Sequence, residues 1–436
     1  MSRLTAFLGQ AGQEYRQMRL GLHRVQAALE RLGHPEQSFA SVLIAGTNGK
    51  GSTARMVEAV LRQAGHRTGL YTSPHLLRFN ERILVAGEEV TDDLLETILA
   101  EWAGQGILDG EGQWPVAGEK LTWFEKATVL AFEAFRRSGI ELAVLEVGLG
   151  GRMDATNVVD PVVSAVISIG LDHAEVLGSS LAEIAREKAG VMRPGRPLVL
   201  GPMAPDLMAL FGAWSAEEGA RLIQARLPQG SPENFSYGVL RDLALPLAGR
   251  HQLANAAAAI EILAALKERG FSWDEKDLRE GLRSVRNPGR LQWLSGRPPL
   301  LLDGAHNPPA FAALAEHLDS LPERGKTVFL LAMMKDKDPE AALDILGPLA
   351  DAWVFAELAN PRCLGLEAWG AIAQIRKLHA EFFSNPQAAL DAARRLAGPD
   401  GLIVVTGSLF LVAEILGNDV CHSKDAGAIA ARPRFP

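Results

Sequence analysis

Apolar and polar positions alternate along the chain in two periods, which predicts short buried strands separated by amphipathic helices. The first such unit is the apolar run Ser41–Ala45, a glycine-rich turn, and a helix from about Ser52 with one apolar face. Strands joined in this way by helices are typical of a mostly parallel sheet with helices on both faces. The same alternation predicts further strands at Thr68–Tyr71, Leu142–Val147, Val162–Ile169 and Leu198–Leu200.

A Pro-Gly pair within Val285–Arg290 interrupts the pattern, and the alternation restarts after it. We therefore expect an α/β fold with an N-terminal P-loop-type, mostly parallel sheet flanked by helices and a smaller C-terminal Rossmann-like α/β domain. The predicted boundaries are residues 1–286 and 287–418, followed by a flexible tail at 419–436 where the apolar pattern fades. Within the first domain, Pro202–Pro246 is less regular, and an alanine-rich helix follows from about His251 to Leu266.

Composition narrows the functional class. The chain has 436 residues, a net charge of −8 and 47% hydrophobic residues. An acidic balance argues against nucleic-acid binding and against attraction to an anionic membrane. Two cysteines exclude a disulfide framework, and no apolar run approaches the roughly 20 residues that span a bilayer. We expect a cytoplasmic protein, and a monomer.

The segment Gly46–Ser52, between a predicted strand and a predicted helix, is the strongest local signal. Phosphate binding requires unobstructed backbone N–H groups, a lysine and a hydroxyl for an accompanying Mg²⁺, which Gly49, Lys50 and Ser52 can supply. The spacing departs from a standard P-loop, because Gly51 separates Lys50 from Ser52. The alternative is a tight turn with a solvated lysine, and the strand–turn–helix context favours phosphate binding.

Other polar residues also follow predicted strands. Glu146 ends an apolar strand, where a carboxylate is costly unless it is paired or binds a metal; a strand-end glutamate tied to an arginine is an equal alternative. Ser73 follows the strand ending at Tyr71, and His173 follows Val162–Ile169, although a single histidine is more often structural. Ligands of open α/β sheets bind beyond the carboxyl ends of strands, so together these residues favour an ATP·Mg²⁺ site.

Further candidates lie outside that cluster. Lys188 ends a predicted helix, where a lysine usually answers the helix dipole but can also position a phosphate. Asn255 can contact adenine, and Arg290 and Asp303 in the second domain can contact the phosphate and ribose of ATP. The loop Lys335–Asp338 is better explained as a solvated turn.

In order along the chain, these segments resemble the folylpolyglutamate synthase/dihydrofolate synthase family of the Mur ligase superfamily. The resemblance runs from about Leu22 to Ile415 and rests on an ordered set of motifs rather than on one of them. These are Ala45–Ser52, Thr72–Leu76 with Phe79–Arg82, Glu146–Asn157, Asp172–His173, Glu187–Gly190, His251–Asn255, Pro288–Arg290 and Leu302–Pro308.

The resemblance implies an ATP-dependent ligase that joins L-glutamate to dihydropteroate or to reduced folates through an acyl phosphate. The first domain would be the ATP-binding central domain with a folate pocket, and the second the glutamate ligase domain. It implies ATP contacts from Gly49, Lys50, Gly51, Ser52, Asn255, Arg290 and Asp303, and magnesium ligands at Ser52, Ser73, Glu146 and His173. It also implies catalytic roles for Lys50, Lys188 and His306, and folate contacts from Phe124 and Asp154. In this family the lysine that corresponds to Lys188 is commonly carbamylated.

Two alternatives stay open at the level of sequence. A sister Mur ligase acting on a cell-wall precursor would share the chemistry but normally carries a separate N-terminal nucleotide-sugar domain. A P-loop ATPase regulator would share the phosphate loop, but the unusual loop spacing and the second polar cluster at Asp303–Asn307 argue against it.

Overall fold

A computed structural model describes residues 2–9, 19–109, 111–116, 118–322 and 325–422. The chain divides into two compact units. The first contains residues 1–170, 174–246 and 252–285, and the second contains residues 171–173, 247–251 and 286–436. Two short segments, 171–173 and 247–251, thus group with the second unit although their chain neighbours belong to the first.

The first unit is built on an eight-stranded sheet with the order β10-β9-β8-β1-β7-β2-β3-β4. Its six strands from β10 to β2 are parallel, and β3 and β4 are antiparallel additions at one edge. The strands of this unit are β1 Ala40–Ala45, β2 Thr68–Tyr71, β3 Ile83–Val85, β4 Glu88–Glu89, β5 Pro115–Val116, β6 Glu119–Lys120, β7 Leu142–Glu146, β8 Val163–Val166, β9 Pro197–Leu200, β10 Arg221–Gln224, β11 Gln229–Ser231, β12 Asn234–Tyr237 and β13 Leu240–Leu243.

Its helices are α1 Arg3–Leu8, α2 His23–Arg31, α3 Lys50–Gln63, α4 Asp92–Gly104, α5 Trp123–Ser138, α6 Ala174–Leu177, α7 Leu181–Ala189, α8 Pro205–Glu218, α9 His251–Lys267 and α10 Glu275–Ser284. Helices α3 and α5 pack against the sheet through apolar faces and are buried along most of their length. β1 and β7 are buried on both faces, which explains their unbroken apolar sequences. The carboxyl ends of β1, β7, β2 and β8 therefore share one edge of the sheet.

The second unit contains a six-stranded sheet with the order β14-β15-β19-β16-β17-β18. Only the pairing of β14 with β15 is antiparallel. Its elements are β14 Gln292–Leu294, β15 Leu300–Leu302, α11 Pro308–Asp319, β16 Thr327–Leu331, α12 Pro339–Leu346, β17 Ala352–Ala356, α13 Leu366–Arg376, β18 Ala380–Phe383, α14 Pro386–Ala397, β19 Leu402–Thr406 and α15 Leu409–His422. The last helix reaches His422, and the rest of the predicted tail, residues 423–436, lies outside the described residues.

The predicted fold class is confirmed: a large, mostly parallel sheet and a smaller α/β unit. The apolar pattern missed regular structure in Pro202–Pro246, which holds α8, β10 and a separate three-stranded sheet, β11-β12-β13. Most residues of those three strands are exposed or half-buried, so they lack the apolar positions that the pattern detects. Among the described residues, no helix has the length and apolar character needed to cross a membrane.

Candidate active site

The loop between β1 and α3 is closed by the side chain of its own lysine. Lys50 Nζ donates to the carbonyl oxygens of Gly46 at 3.0 Å and Thr47 at 3.2 Å. Gly49 directly precedes the helix and has a φ of +84°, a left-handed conformation that favours glycine. The N-terminus of α3 thus begins at a turn that leaves backbone N–H groups unshielded by a side chain, as phosphate binding requires.

The loop after β8 fixes the position of the loop after β1. The backbone N–H of Asn48 donates to Ser168 Oγ at 2.9 Å, and the same hydroxyl donates to the carbonyl oxygen of Asn48 at 2.8 Å. Thr47 makes a similar pair of bonds with Gly170, at 3.1 and 3.0 Å. Both partners follow β8, so two neighbouring parallel strands hold the phosphate-type loop from one side.

The side chain of Asn255 lies directly against Gly49. A Cβ atom built on Gly49 would lie 2.2 Å from Asn255 Oδ1, closer than any real contact. The Asn255 amide is itself held, because its Nδ2 donates to Gln252 Oε1 at 2.9 Å, and both side chains are buried. Asn255, predicted to contact ATP, therefore touches the phosphate-type loop.

A buried carboxylate faces the start of α3. Glu146 at the end of β7 is 5% exposed and accepts the Ser73 backbone N–H at 3.0 Å through Oε2. A Cβ atom on Gly51 would lie 3.2 Å from the same oxygen, and Ser52, the next residue, is buried. The structure therefore brings Glu146 together with the Gly51–Ser52 turn and the Ser73 loop, as the strand-end argument predicts.

These oxygen atoms fit a divalent cation of the magnesium type, which prefers carboxylate, hydroxyl, water and phosphate oxygens. Across the described residues, no three His, Cys, Asp or Glu side chains gather into a metal site of their own. The donor chemistry thus matches an ion held by Glu146 and hydroxyls together with the phosphates of a nucleotide, rather than a closed cage of protein ligands.

Lys188 reaches the same loop from α7. Its side chain is buried, and its Nζ donates to the carbonyl oxygen of Gly46 at 3.1 Å. Lys50 donates to that oxygen too, at 3.0 Å. The side chains of Lys50 and Lys188 thus converge on one carbonyl oxygen of the loop.

Phe124 and Asp154, predicted to contact folate, border one loop after β7. A Cβ atom on Gly148 would lie 2.5 Å from Phe124 Cζ, so the phenyl ring packs directly on the loop. Asp154 Oδ2 accepts the Leu149 N–H at 2.9 Å and Oδ1 accepts from the Thr156 hydroxyl at 2.5 Å. Burial raises the pKa of the Asp154 carboxyl above its ordinary value, against the effect of those hydrogen bonds. Asp154 therefore shapes this loop, whereas Phe124 is half-buried beside it.

An aromatic cluster lies between the Ser73 loop and α5. The Arg82 guanidinium is buried and stands 4.5 Å from the centre of the Trp123 ring. Arg82 Nε donates to His75 Nδ1 at 2.7 Å, and the His75 ring lies 6.5 Å from the rings of both Phe79 and Trp123. Burial, assisted by the charge of Arg82, lowers the pKa of His75 to about 3. His75 is therefore neutral at physiological pH.

In the second unit, Arg290, Asp303 and His306 lie around one turn after β15. The carbonyl oxygen of Gly304 accepts from Arg290 Nη1 at 3.4 Å and faces His306 Nδ1 at 2.8 Å. Asp303 accepts the backbone N–H groups of Leu291 and Ala305, each at 2.9 Å. Burial raises the pKa of Asp303 in spite of the nearby Arg290 charge. Asp303 thus ties the strand that follows Arg290 to the turn that carries His306.

Asp172 is the centre of a second charged cluster in this unit. It pairs with Lys337 Nζ at 2.5 Å, accepts from Asn307 Nδ2 at 2.9 Å and lies 3.5 Å from His306 Nε2. Burial acts to raise the pKa of Asp172, but the His306 hydrogen bond and the charges of His173, His306 and Lys337 hold it well below its ordinary value. The sequence interpretation of Lys335–Asp338 as a solvated turn is wrong for Lys337, whose side chain is 9% exposed.

The predicted site residues thus fall into two groups. The first unit holds Gly49, Lys50, Gly51, Ser52, Ser73, Phe124, Glu146, Asp154, Lys188 and Asn255, and the second holds His173, Arg290, Asp303 and His306. His173, predicted as a metal ligand with Ser52, Ser73 and Glu146, therefore belongs to a different unit from the other three. Its φ of +52° is unusual for a non-glycine residue and marks a tight turn after β8.

Sequence reasoning missed Ser168 and Gln252, which hold the phosphate-type loop and Asn255 in the first unit, and the contact of Lys337 with Asp172 in the second unit. Gln252 lies inside the His251–Asn255 motif, three residues before Asn255, and this helical spacing could have indicated that the two side chains are neighbours. Ser168 follows the apolar run of β8, as strand-end polar residues do elsewhere. Lys337 lies in the strand-end loop Lys335–Asp338, which was interpreted as a solvated turn because its partner Asp172 is far away in sequence.

Comparison with known proteins gives two family matches. Residues 44–197 match the family described as the Mur ligase middle domain. Residues 289–409 match the family described as the Mur ligase, glutamate ligase domain.

Curated relatives are similar over nearly the whole chain. The dihydrofolate synthase/folylpolyglutamate synthase of Escherichia coli K12 is 36% identical over 411 residues, which cover 91% of this chain and 90% of that protein. The folylpolyglutamate synthase of Lacticaseibacillus casei is 34% identical over 407 residues, covering 90% of this chain and 92% of that protein.

Solved structures agree with these relatives. E. coli FolC in complex with DHPP and ADP superposes with a TM-score of 0.82 at 34% identity, covering 93% of this chain and 95% of that chain. A bifunctional folylpolyglutamate synthase/dihydrofolate synthase with Mn, AMPPNP and L-glutamate bound gives 0.80 at 34% identity, covering 93% and 95%. The Mycobacterium tuberculosis folylpolyglutamate synthase complexed with ADP and AMPPCP gives 0.85 at 32% identity, covering 96% and 99%.

Proposed function

Because the chain belongs to the dihydrofolate synthase/folylpolyglutamate synthase family of Mur ligases and is an ATP-dependent ligase that adds L-glutamate, we propose specific roles for its site residues. The acid substrate is dihydropteroate, a reduced folate, or both, and the products are the amide, ADP and phosphate. The observation that carries the assignment of the site is the buried carboxylate of Glu146 beside the Gly46–Ser52 loop.

ATP binds with its phosphates at the N-terminus of α3. Gly49, Gly51 and Ser52 supply backbone N–H groups there, and Lys50 exchanges its loop carbonyl partners for phosphate oxygens. Asn255, which lies against Gly49, contacts the nucleotide, and Arg290 and Asp303 supply further nucleotide contacts. Glu146, Ser52, Ser73 and His173 would hold magnesium, which would neutralise phosphate charge.

The reaction begins with the acid carboxylate, a poor acyl donor because its leaving group would be oxide. A carboxylate oxygen attacks the γ-phosphorus of ATP, the bond to the β-phosphate oxygen breaks, and an acyl phosphate and ADP result. The glutamate amine then attacks the acyl carbon, phosphate leaves, and the amine loses a proton. Such a transfer needs positioning and charge neutralisation rather than a protein nucleophile, which suits Lys50 and, near the incoming glutamate, His306.

Lys188 is proposed to be carbamylated, as the family resemblance implies; its Nζ and that of Lys50 donate to the same Gly46 carbonyl oxygen, so a carbamate on Lys188 would place an anion near the Lys50 ammonium. An unprotonated amine attacks carbon dioxide and loses a proton, which leaves a carbamate. Incubation with ¹³C-labelled bicarbonate and ¹³C NMR tests this. A carbamate signal in the wild type that is absent from Lys188→Arg supports the assignment, and equal spectra contradict it.

Two finer expectations belong to the same proposal: a monomer, and a cytoplasmic location. Sedimentation at several concentrations tests the first, and cell fractionation with the full chain tests the second. A concentration-dependent dimer or a membrane-pelleted protein would contradict them.

An ADP-release assay with one component omitted at a time tests the function itself. Release that requires both L-glutamate and either dihydropteroate or tetrahydrofolate supports the folate ligase, and a comparison of the two acids shows which activity dominates. Release without any acid would indicate a P-loop ATPase, and release only with a UDP-linked sugar acid would indicate a cell-wall ligase. Lys50→Ala should abolish turnover yet keep the wild-type circular dichroism spectrum, because Lys50 bonds only to its own loop in the described structure.

A further inference from the structure

The ring of His75 is held in one tautomer by a buried arginine. Arg82 Nε donates to His75 Nδ1 at 2.7 Å. A guanidinium nitrogen can only donate, so Nδ1 must be the acceptor in this bond. In a neutral ring the proton is then on Nε2, which makes that nitrogen a hydrogen-bond donor. Because Arg82 is buried and stacked on Trp123, the donor direction of the ring is fixed as well.

The loop that carries this donor also contacts the Glu146 carboxylate. His75 follows Ser73 by two residues, and the Ser73 N–H bonds to the Glu146 carboxylate at 3.0 Å. The His75 side chain is half-buried and therefore remains open on one side.

The walls around His75 are aromatic. The rings of Phe79 and Trp123 each lie 6.5 Å from it, and the next residue after Trp123 is Phe124. Flat rings gain most from packing on such walls. A neutral N–H among such rings can donate to an acceptor atom of a planar molecule that packs on them.

We propose that His75 contacts the acid substrate and determines its selection, by donating its Nε2–H to an acceptor atom of the planar conjugated part of that acid. The inference rests on the proposed function, in which Asn255, Arg290, Asp303 and the Gly46–Ser52 loop bind ATP, so that the folate-pathway acid is the other substrate with a planar conjugated part. It predicts that His75 affects binding of the acid and leaves ATP and glutamate binding unchanged.

Steady-state kinetics with each substrate varied in turn tests the proposal. For His75→Phe, which keeps a flat ring but removes the donor, we expect the KM for dihydropteroate or tetrahydrofolate to rise about three- to tenfold, the loss of one neutral hydrogen bond. KM values for ATP and glutamate should change less than twofold. His75→Gln, whose amide supplies a donor at similar reach, should recover part of the loss.

His66→Phe is the matched control, because His66 lies in the first unit and bonds to Glu141 and to the Ser272 carbonyl. It should leave all three KM values unchanged. An unchanged KM for the acid in His75→Phe, or equal rises for all three substrates, would overturn the inference. A wild-type protein inactive with every folate-pathway acid would instead overturn the proposed function, so the two failures are distinguishable.

¹⁵N NMR of the histidine side chains gives a readout without activity. The His75 signals, assigned by their absence from His75→Phe, should show protonated Nε2 and unprotonated Nδ1, and addition of the acid should shift the Nε2 resonance. A ring protonated on Nδ1, or an Nε2 resonance that the acid leaves in place, would contradict the proposal.

Discussion

Replacement of Gly49 by alanine tests the contact between the phosphate-type loop and Asn255. The new methyl group would lie 2.2 Å from Asn255 Oδ1, whereas ordinary contacts begin at 3.4 Å. Asn255 cannot simply rotate away, because its Nδ2 donates to the buried Gln252. The substitution must therefore displace α9, the loop or the amide pair.

Two separate costs contribute to the expected loss of stability. The left-handed φ of +84° penalises any side chain by about 1–2 kcal/mol. Overfilling a packed site costs a further 1–3 kcal/mol or so. The first unit of Gly49→Ala should therefore lose about 2–5 kcal/mol of unfolding free energy.

Gly65 offers a matched control because it follows the other end of α3 with nearly the same backbone angle, a φ of +88°, and a Cβ atom there would meet nothing within 4 Å. Gly65→Ala should show only the conformational cost, about 1–2 kcal/mol. Asn255→Ala should relieve the steric part of Gly49→Ala, so the double variant should lose less than the two single variants together. Urea titration with hydrogen-exchange mass spectrometry reports the first unit separately.

Equal losses for Gly49→Ala and Gly65→Ala would refute the close approach of Asn255. Strict additivity in the double variant would also refute it, because a steric contact must appear as a coupling energy.

Three further predictions use other features of the site. Gly51→Ala should keep or slightly raise stability, since alanine favours helices by about 1 kcal/mol over glycine. The new methyl group would lie 3.2 Å from the Glu146 carboxylate, so the variant should need a higher magnesium concentration for half-maximal activity. An unchanged magnesium titration would contradict this. Asp172→Ala removes the nearer carboxylate from the buried Lys337 ammonium and leaves Asp336 at 3.6 Å. Thermal unfolding of the second unit should therefore show a loss of about 1–3 kcal/mol, and a loss below about 1 kcal/mol would contradict the ion pair. Burial, with smaller contributions from neighbouring positive groups, lowers the pKa of His251 to about 4. Because the unfolded chain takes up this proton near pH 6.5 and the folded chain only near pH 4, the free energy of unfolding should fall as pH falls from 6.5 to 4, by at most about 1.4 kcal/mol per pH unit. His251→Gln should flatten this pH dependence in urea titrations at pH 4 to 7.

Local sequence predicted the strand–turn–helix that carries the Gly46–Ser52 loop, and phosphate binding by that loop stays a prediction. Glycine and lysine between an apolar strand and a helix already carry the physical requirements of the site, which are an unshielded turn, backbone N–H groups and a positive charge. The alternation of β1, β7 and β8 with helices likewise predicted a parallel sheet and thereby a common edge for Ser73 and Glu146. Periodicity has this power because a strand buried on both faces must be apolar throughout.

The same method failed where burial is low or a partner is distant. The largely exposed strands β11, β12 and β13 show little apolar pattern, because an exposed position can hold a polar or an apolar residue. The sequence around Lys337 predicted a solvated lysine, because its partner Asp172 lies 165 residues away along the chain.

The sequence by itself thus determined the fold class, the family and the chemical types at the site, since these depend on local patterns and motifs. Tertiary structure alone decided which atoms touch: Asn255 against Gly49, Lys50 and Lys188 on one carbonyl, and Arg82 as the donor that fixes the His75 tautomer. The physical reason is that hydrogen bonds and steric contacts act over a few ångströms between segments far apart along the chain, whereas a sequence pattern reports only the average burial of each position.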